Sequence, residues 1–141
     1  MPTRACTALI ADDQSVIRAG LSTMLAEIGI QVLGRAEKAE KLLELVRKEK
    51  PGLLTLELRL GIGLVREILE VHPTCRILVY TRMNGQLHAD QALRDGAIGY
   101  LMKGGTALEV RKALQSVARG DQFVGAHLGD SPDAQAELGF S

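Results

Sequence analysis

Short apolar runs alternate five times with longer amphipathic runs along this chain of 141 residues. The apolar runs, such as residues 53–57 and 76–80, have the length of strands that are buried on both faces. The amphipathic runs, such as residues 16–28, repeat apolar side chains at helical spacing. Because crossovers between parallel strands are right-handed, the sequence predicts an α/β fold in which helices cover both faces of a doubly wound, five-stranded parallel sheet.

Strand- and helix-breaking residues set the expected boundaries. Gly29 is a candidate C-cap for the first helix, and Asp13 and Ser15 are candidates for its N-cap. We predict strands at residues 5–11, 30–34, 53–57, 76–80 and 97–101, and helices at 16–28, 37–48, 64–72, 86–94 and 107–119.

The domain boundary is expected near residue 120. Residues 1–120 form one domain in this interpretation, and residues 121–141 contain several glycines, a proline and few apolar residues. We therefore expect that last segment to be a linker or a loosely docked tail.

Composition excludes several classes of function. The 17 basic and 17 acidic side chains cancel, and aromatic residues make up 3% of the chain, so a nucleic-acid surface is not expected. There is no run of 18 apolar residues, which argues against a membrane span. Cys6 and Cys75 lie in apolar runs, and we expect small core residues in a cytoplasmic protein rather than a disulfide. His72, His88 and His127 share no metal-ligand spacing.

Polar side chains close four of the apolar runs: Asp12 and Asp13, Glu57, Thr81 and Lys103. The carboxyl ends of parallel strands meet at one edge of a sheet, so these side chains should converge there. An acid pair suits Mg²⁺, a lysine can neutralise a phosphoryl oxygen, and a hydroxyl can donate to one. A helix cap, a surface lysine and a turn cap are the alternatives for the single residues. Together the residues describe a phosphoryl-transfer pocket.

As a set, these motifs resemble the receiver domain of two-component response regulators, which has the CheY-like (βα)5 fold. The resemblance covers residues 8–120 and is carried by residues 10–13, 53–58, 79–81 and 96–104. The last of these stretches is most similar to the NarL/FixJ branch, whose members regulate transcription. The resemblance implies a signalling domain rather than an enzyme.

The resemblance also implies a role for each matching position. By resemblance, Asp12, Asp13 and the backbone carbonyl of Arg59 occupy the metal-binding positions, with Mg²⁺ as the cofactor. Lys103 occupies the phosphate-contact position, and Glu57 occupies the phosphoacceptor position. Thr81 and Tyr100 form the switch pair.

Two departures from the family pattern stand beside the pocket. The family has an aspartate where this chain has Glu57, and the added C–C bond moves the carboxylate by about 1.5 Å. Such a carboxylate can reach toward Lys103 and Thr81 and imitate a phosphorylated aspartate. The loop at residues 60–63 is short and lacks the family's proline.

We therefore expect an atypical, phosphorylation-independent receiver domain that acts through homodimerisation or a partner regulatory protein. DNA would be reached only through an output domain not present in residues 121–141, so the chain is expected to be part of a longer protein. One alternative is a Mg²⁺-dependent receiver that a histidine kinase phosphorylates slowly on Glu57. A more distant alternative is a flavodoxin-like cofactor binder, although Asp12 and Asp13 would repel a phosphate.

Overall fold

In the part of the chain that the structure describes, five helices cover the two faces of a parallel six-stranded sheet. The structure, a computed structural model, describes residues 4–83 and 85–125. The elements in chain order are β1 (Thr7–Ala11), α1 (Ser15–Glu27), β2 (Gln31–Ala36), α2 (Ala39–Glu49), β3 (Leu53–Leu56), a 3-10 helix (Leu58–Leu60), α3 (Leu64–Val71), β4 (Arg76–Thr81), α4 (Gln86–Arg94), β5 (Gly99–Met102), α5 (Ala107–Ala118) and β6 (Phe123–Val124). The strand order is β2-β1-β3-β4-β5-β6, and every pair is parallel.

Alternation along the strands divides the core into two layers. In β4, Ile77 and Val79 pack with the apolar faces of α2, α3 and α4, whereas Leu78 and Tyr80 pack with α1 and α5. The four central strands, β1, β3, β4 and β5, are largely buried on both faces, so their sequences are mostly apolar, whereas the edge strand β2 exposes Gln31 and Arg35. The predicted doubly wound α/β fold is confirmed.

Strand register brings the polar residues to one edge. Backbone hydrogen bonds continue one residue beyond the strands: the Asp12 N–H donates to Ala36, the Glu57 N–H to Ala11 and the Lys103 N–H to Thr81, over 2.9, 3.0 and 2.8 Å. The site residues are therefore fixed by the sheet itself rather than by free loops.

The sheet extends further than the sequence predicted. Residues 123–124 form β6 beside β5, where the Phe123 N–H donates to Ile98 and the Gly125 N–H to Tyr100. Gly125 is buried, and a Cβ there would lie 2.7 Å from Leu101. The segment assigned to a tail thus begins with an ordered strand, while its remainder, residues 126–141, lies outside the described part of the chain.

Local expectations were wrong at several positions. Neither Asp13 nor Ser15 caps α1; the cap residue is Gln14, which makes no side-chain cap hydrogen bond. Cys6 is exposed because β1 begins only at Thr7, whereas Cys75 is buried as expected. Strand β2 runs on to Ala36 and β5 begins at Gly99, since pairing with neighbouring strands sets their ends.

None of the helices within residues 4–83 and 85–125 has the length and apolar character needed to cross a membrane.

Candidate functional site at the carboxyl edge of the sheet

Glu57 lies at the centre of the pocket. Its side chain is 1% exposed, and it follows β3 directly, as the residue that caps the 3-10 helix. Oε2 accepts hydrogen bonds from the Arg59 N–H (2.9 Å) and the Thr81 hydroxyl (2.5 Å). Oε1 lies 3.0 Å from Lys103 Nζ. Both oxygens of the carboxylate therefore face protein donors.

The Lys103 ammonium group is fully coordinated by the protein. Nζ lies 2.7 Å from Asp12 Oδ2, 2.9 Å from Gln14 Oε1 and 3.0 Å from Glu57 Oε1. A lysine ammonium has three N–H donors, so these three acceptors use all of them. Its side chain is only 4% exposed. Lys103 thus joins the ends of β1, β3 and β5 in one network.

The pocket buries two carboxylates around one ammonium group. A buried charge is costly unless it is paired and hydrogen-bonded, and here each charge has both kinds of partner. Burial raises the pKa of Asp12, and the nearby negative charge of Glu57 raises it further. The hydrogen bonds from Lys103 and from the Gln14 backbone lower it, but by less than burial raises it. The positive charge of Lys103 therefore stabilises both buried carboxylates.

A chain of hydrogen bonds leads from Glu57 to Tyr100. The Thr81 hydroxyl, which donates to Glu57, also accepts the Met83 N–H over 3.1 Å. The Met83 carbonyl in turn accepts the Tyr100 hydroxyl over 2.5 Å. Tyr100 is fully buried, and its pKa is raised to about 12, first by burial and then by the negative charge of Glu57. The segment after β4 is thereby held through the N–H and the carbonyl of one residue, Met83.

The positions expected to bind a metal are arranged differently from a metal site. Asp13 is exposed, and the described interaction of Arg59 with the pocket is its N–H bond to Glu57. The remaining inward oxygen, Asp12 Oδ1, accepts the Gln14 N–H over 2.9 Å. Within the described ranges, no three or more His, Cys, Asp or Glu side chains are grouped to hold a metal ion. Lys103 Nζ lies between Asp12 and Glu57, so a Mg²⁺ ion that bridged these two carboxylates would have to displace it, and this arrangement does not fit such an ion.

The structure brings Asp12, Glu57, Thr81 and Lys103 together, links Tyr100 to them through Met83, and leaves the Asp13 side chain outside. The sequence did not predict Gln14 and Met83 as residues of the pocket. Gln14 follows the acid pair at a strand end, which is a weak signal for a pocket residue. Met83 contributes only backbone atoms, and its side-chain type carries no signal for that role.

Residues 8–115 match the model of the response regulator receiver domain. The chain belongs to this family. Response regulator GacA of Pseudomonas protegens is 31% identical over 137 residues, which cover 94% of this chain and 62% of the relative. The chain thus spans less than two thirds of that relative's length.

Solved structures agree with the family and with the predicted branch. The receiver domain of the putative response regulator NarL from Mycobacterium tuberculosis has a TM-score of 0.74 at 25% identity, covering 84% of this chain and 99% of that one. A response regulator from Burkholderia pseudomallei with a phosphorylated aspartic acid and a calcium ion has a TM-score of 0.70 at 32% identity, covering 79% and 68%. The predicted receiver family and its NarL/FixJ branch are confirmed.

Proposed function

We propose that this receiver domain regulates its output without phosphorylation, because Glu57 permanently occupies the space of an aspartyl phosphate. The observation that carries the proposal is the double contact of one carboxylate, with Thr81 at 2.5 Å and Lys103 at 3.0 Å. In this proposal Glu57 stands at the phosphoacceptor position, Lys103 at the phosphate-contact position, and Thr81 and Tyr100 form the switch pair.

The position of the carboxylate argues against its being an efficient nucleophile. A nucleophile must lie in line with the incoming phosphorus, and a displacement of about 1 Å can cost roughly a hundredfold in rate. The added C–C bond of glutamate moves the carboxylate by about 1.5 Å. Both oxygens of Glu57 also accept hydrogen bonds or pair with Lys103, so an attack would first have to break these contacts.

The imitation is weaker than the group it replaces. A phosphoryl group carries nearly two charges and three acceptor oxygens, whereas a carboxylate carries one charge and two oxygens. The single negative charge of Glu57 nevertheless contacts Thr81 and Lys103, the two groups that a phosphoryl group would contact. The hydrogen bonds through Met83 then keep Tyr100 inside.

The output of this fixed state would be dimerisation or docking of a partner regulatory protein. Because the chain spans only 62% of a GacA relative, DNA binding would belong to a further domain of a longer protein. Transcriptional control is therefore proposed for the whole protein and not for these residues alone.

Phosphoryl uptake tests the proposal. The protein and Glu57→Asp are incubated with acetyl phosphate and Mg²⁺, and intact mass is measured with time. We expect no phosphoryl adduct on the unchanged protein and an adduct on Glu57→Asp, in which a shorter carboxylate returns to the position used by the family. Stoichiometric uptake on Glu57 would overturn the proposal.

A second candidate is a conventional receiver that is slowly phosphorylated on Glu57 by a histidine kinase. The Burkholderia pseudomallei relative has a phosphorylated aspartic acid, and this chain keeps Asp12, Thr81 and Lys103. A slow adduct that appears only with Mg²⁺, and that Asp13→Asn abolishes, would favour this candidate.

A further inference from the structure

We propose that Lys103, held in place by Gln14, is the built-in cation of this pocket and excludes Mg²⁺ from it. This inference deepens the proposed function and rests on Glu57 being held by Lys103. It concerns the cation rather than the phosphoryl group, so a different measurement decides it.

The ammonium group occupies the space between the two inward carboxylates, where a bridging cation would have to lie. Lys103 pairs with Asp12 Oδ2 and Glu57 Oε1, and the two remaining oxygens accept backbone N–H groups of Gln14 and Arg59. Mg²⁺ takes one or two carboxylates in octahedral geometry at about 2.0–2.1 Å and gives up water reluctantly. The one remaining acid of the pair, Asp13, is exposed, so the cation would have to compete with bulk water there.

The length of the Glu57 side chain also acts against a bound cation. With an aspartate at this position, the carboxylate would withdraw from Lys103 by about 1.5 Å. The 3.0 Å contact would then be lost, and space for a cation and its waters would open between the two acids. The same methylene that places Glu57 against Thr81 therefore also closes the cation site.

Gln14 contacts both Lys103 and Asp12. Its side-chain Oε1 accepts from Lys103 over 2.9 Å, and its backbone N–H donates to Asp12 Oδ1 over 2.9 Å. One residue thus fixes both members of the shorter of the two ion pairs that Lys103 makes, whose Nζ and Oδ2 atoms are 2.7 Å apart. A neutral acceptor completes the coordination of the ammonium group without adding a third negative charge to the pocket. Gln14 is in this sense a positioning residue for Lys103.

The test is divalent cation binding to the purified chain, with Mn²⁺ as a spectroscopic probe and Mg²⁺ as its competitor. The variants are Lys103→Met, which removes the charge from a side chain of similar length, and Gln14→Leu. Lys112→Met is the matched control, because Lys112 is exposed on α5 and is not part of the pocket. Circular dichroism verifies that each variant is folded.

We expect no saturable binding to the unchanged chain or to Lys112→Met. Lys103→Met should bind Mn²⁺ saturably, with an affinity at least about tenfold above the upper limit set by the unchanged chain, and Mg²⁺ should displace the bound Mn²⁺. Adding Asp12→Asn to Lys103→Met should abolish that binding, and Gln14→Leu should show an intermediate affinity.

Saturable Mg²⁺-displaceable binding by the unchanged chain would overturn the inference, and this measurement does not depend on any variant folding. A folded Lys103→Met that gains no affinity would also overturn it, since Lys103 would then not be what excludes the cation. Either result leaves the phosphoryl-uptake test of Glu57 to be decided on its own outcome.

Discussion

Two buried threonines in neighbouring strands should respond in opposite directions to the same substitution. Thr81 in β4 donates to Glu57 and accepts from the Met83 N–H. Thr55 in β3 is equally buried, but its hydroxyl is, among the residues described, the buried side-chain polar atom without a hydrogen-bond partner. Threonine to valine keeps the branched shape and replaces the hydroxyl group by a methyl group. Comparison of Thr81→Val with Thr55→Val therefore isolates the contribution of the Thr81 hydrogen bonds to the free energy of unfolding.

The expected magnitudes follow from these contacts. A hydrogen bond to a charged group contributes about 1.5–3 kcal/mol, and Thr81→Val also leaves the Met83 N–H without its acceptor, so we expect a loss of about 2–3 kcal/mol in the free energy of unfolding. Thr55→Val removes a hydroxyl that was buried without compensation, and we expect a gain of about 1 kcal/mol. The two variants should thus differ by about 3–4 kcal/mol.

Urea denaturation followed by circular dichroism measures both changes, with the slope m compared to verify that the unfolded states are alike. Equal destabilisation by both substitutions would refute the reasoning, because the loss would then come from the strands rather than from the contact with Glu57. A Thr81→Val protein as stable as the unchanged chain would refute it as well.

Two further predictions concern titratable groups outside the ion cluster. Burial raises the pKa of the Cys75 thiol to about 12, while Cys6 is exposed. An aromatic disulfide reagent should therefore label Cys6 in the native protein and Cys75 only on unfolding. Rapid labelling of both thiols in the native protein would contradict the structure. The pKa of Tyr100 is about 12 in the folded protein and near 10 in the unfolded chain. The neutral phenol therefore stabilises the folded state fully below pH 10, and this stabilisation is lost as pH rises toward 12. The difference in unfolding free energy between the unchanged chain and Tyr100→Phe should shrink by roughly 2–3 kcal/mol over that range, and parallel pH profiles would contradict this.

The fold and the convergence of the pocket could be predicted because both depend on regularities of the sequence. Continuous apolar strands indicate a parallel sheet, and parallel strands bring Asp12, Glu57, Thr81 and Lys103 to one edge whatever the loops do. The longer reach of Glu57 follows from its covalent structure alone. These features required no knowledge of how side chains pack.

The features that could not be predicted depend on tertiary contacts. Gln14 and Lys103 are 89 residues apart, and their contact exists only once β1 and β5 are placed in the same sheet. Strand β6 has two residues, too few for a recognisable period, and forms because the edge of β5 offers hydrogen-bond partners. The start of α1 has no side-chain cap hydrogen bond, and the side-chain oxygen of its cap residue, Gln14, accepts from Lys103 instead.

Hydrogen exchange at the Met83 amide tests most directly whether Glu57 holds the switch. This N–H donates to Thr81, which in turn donates to Glu57. We predict that the amide is protected in the unchanged chain, that acetyl phosphate leaves its exchange rate unchanged, and that Glu57→Ala accelerates exchange at least about tenfold. An exchange rate unaffected by Glu57→Ala, or protection that appears only after a phosphoryl donor is added, would contradict the account.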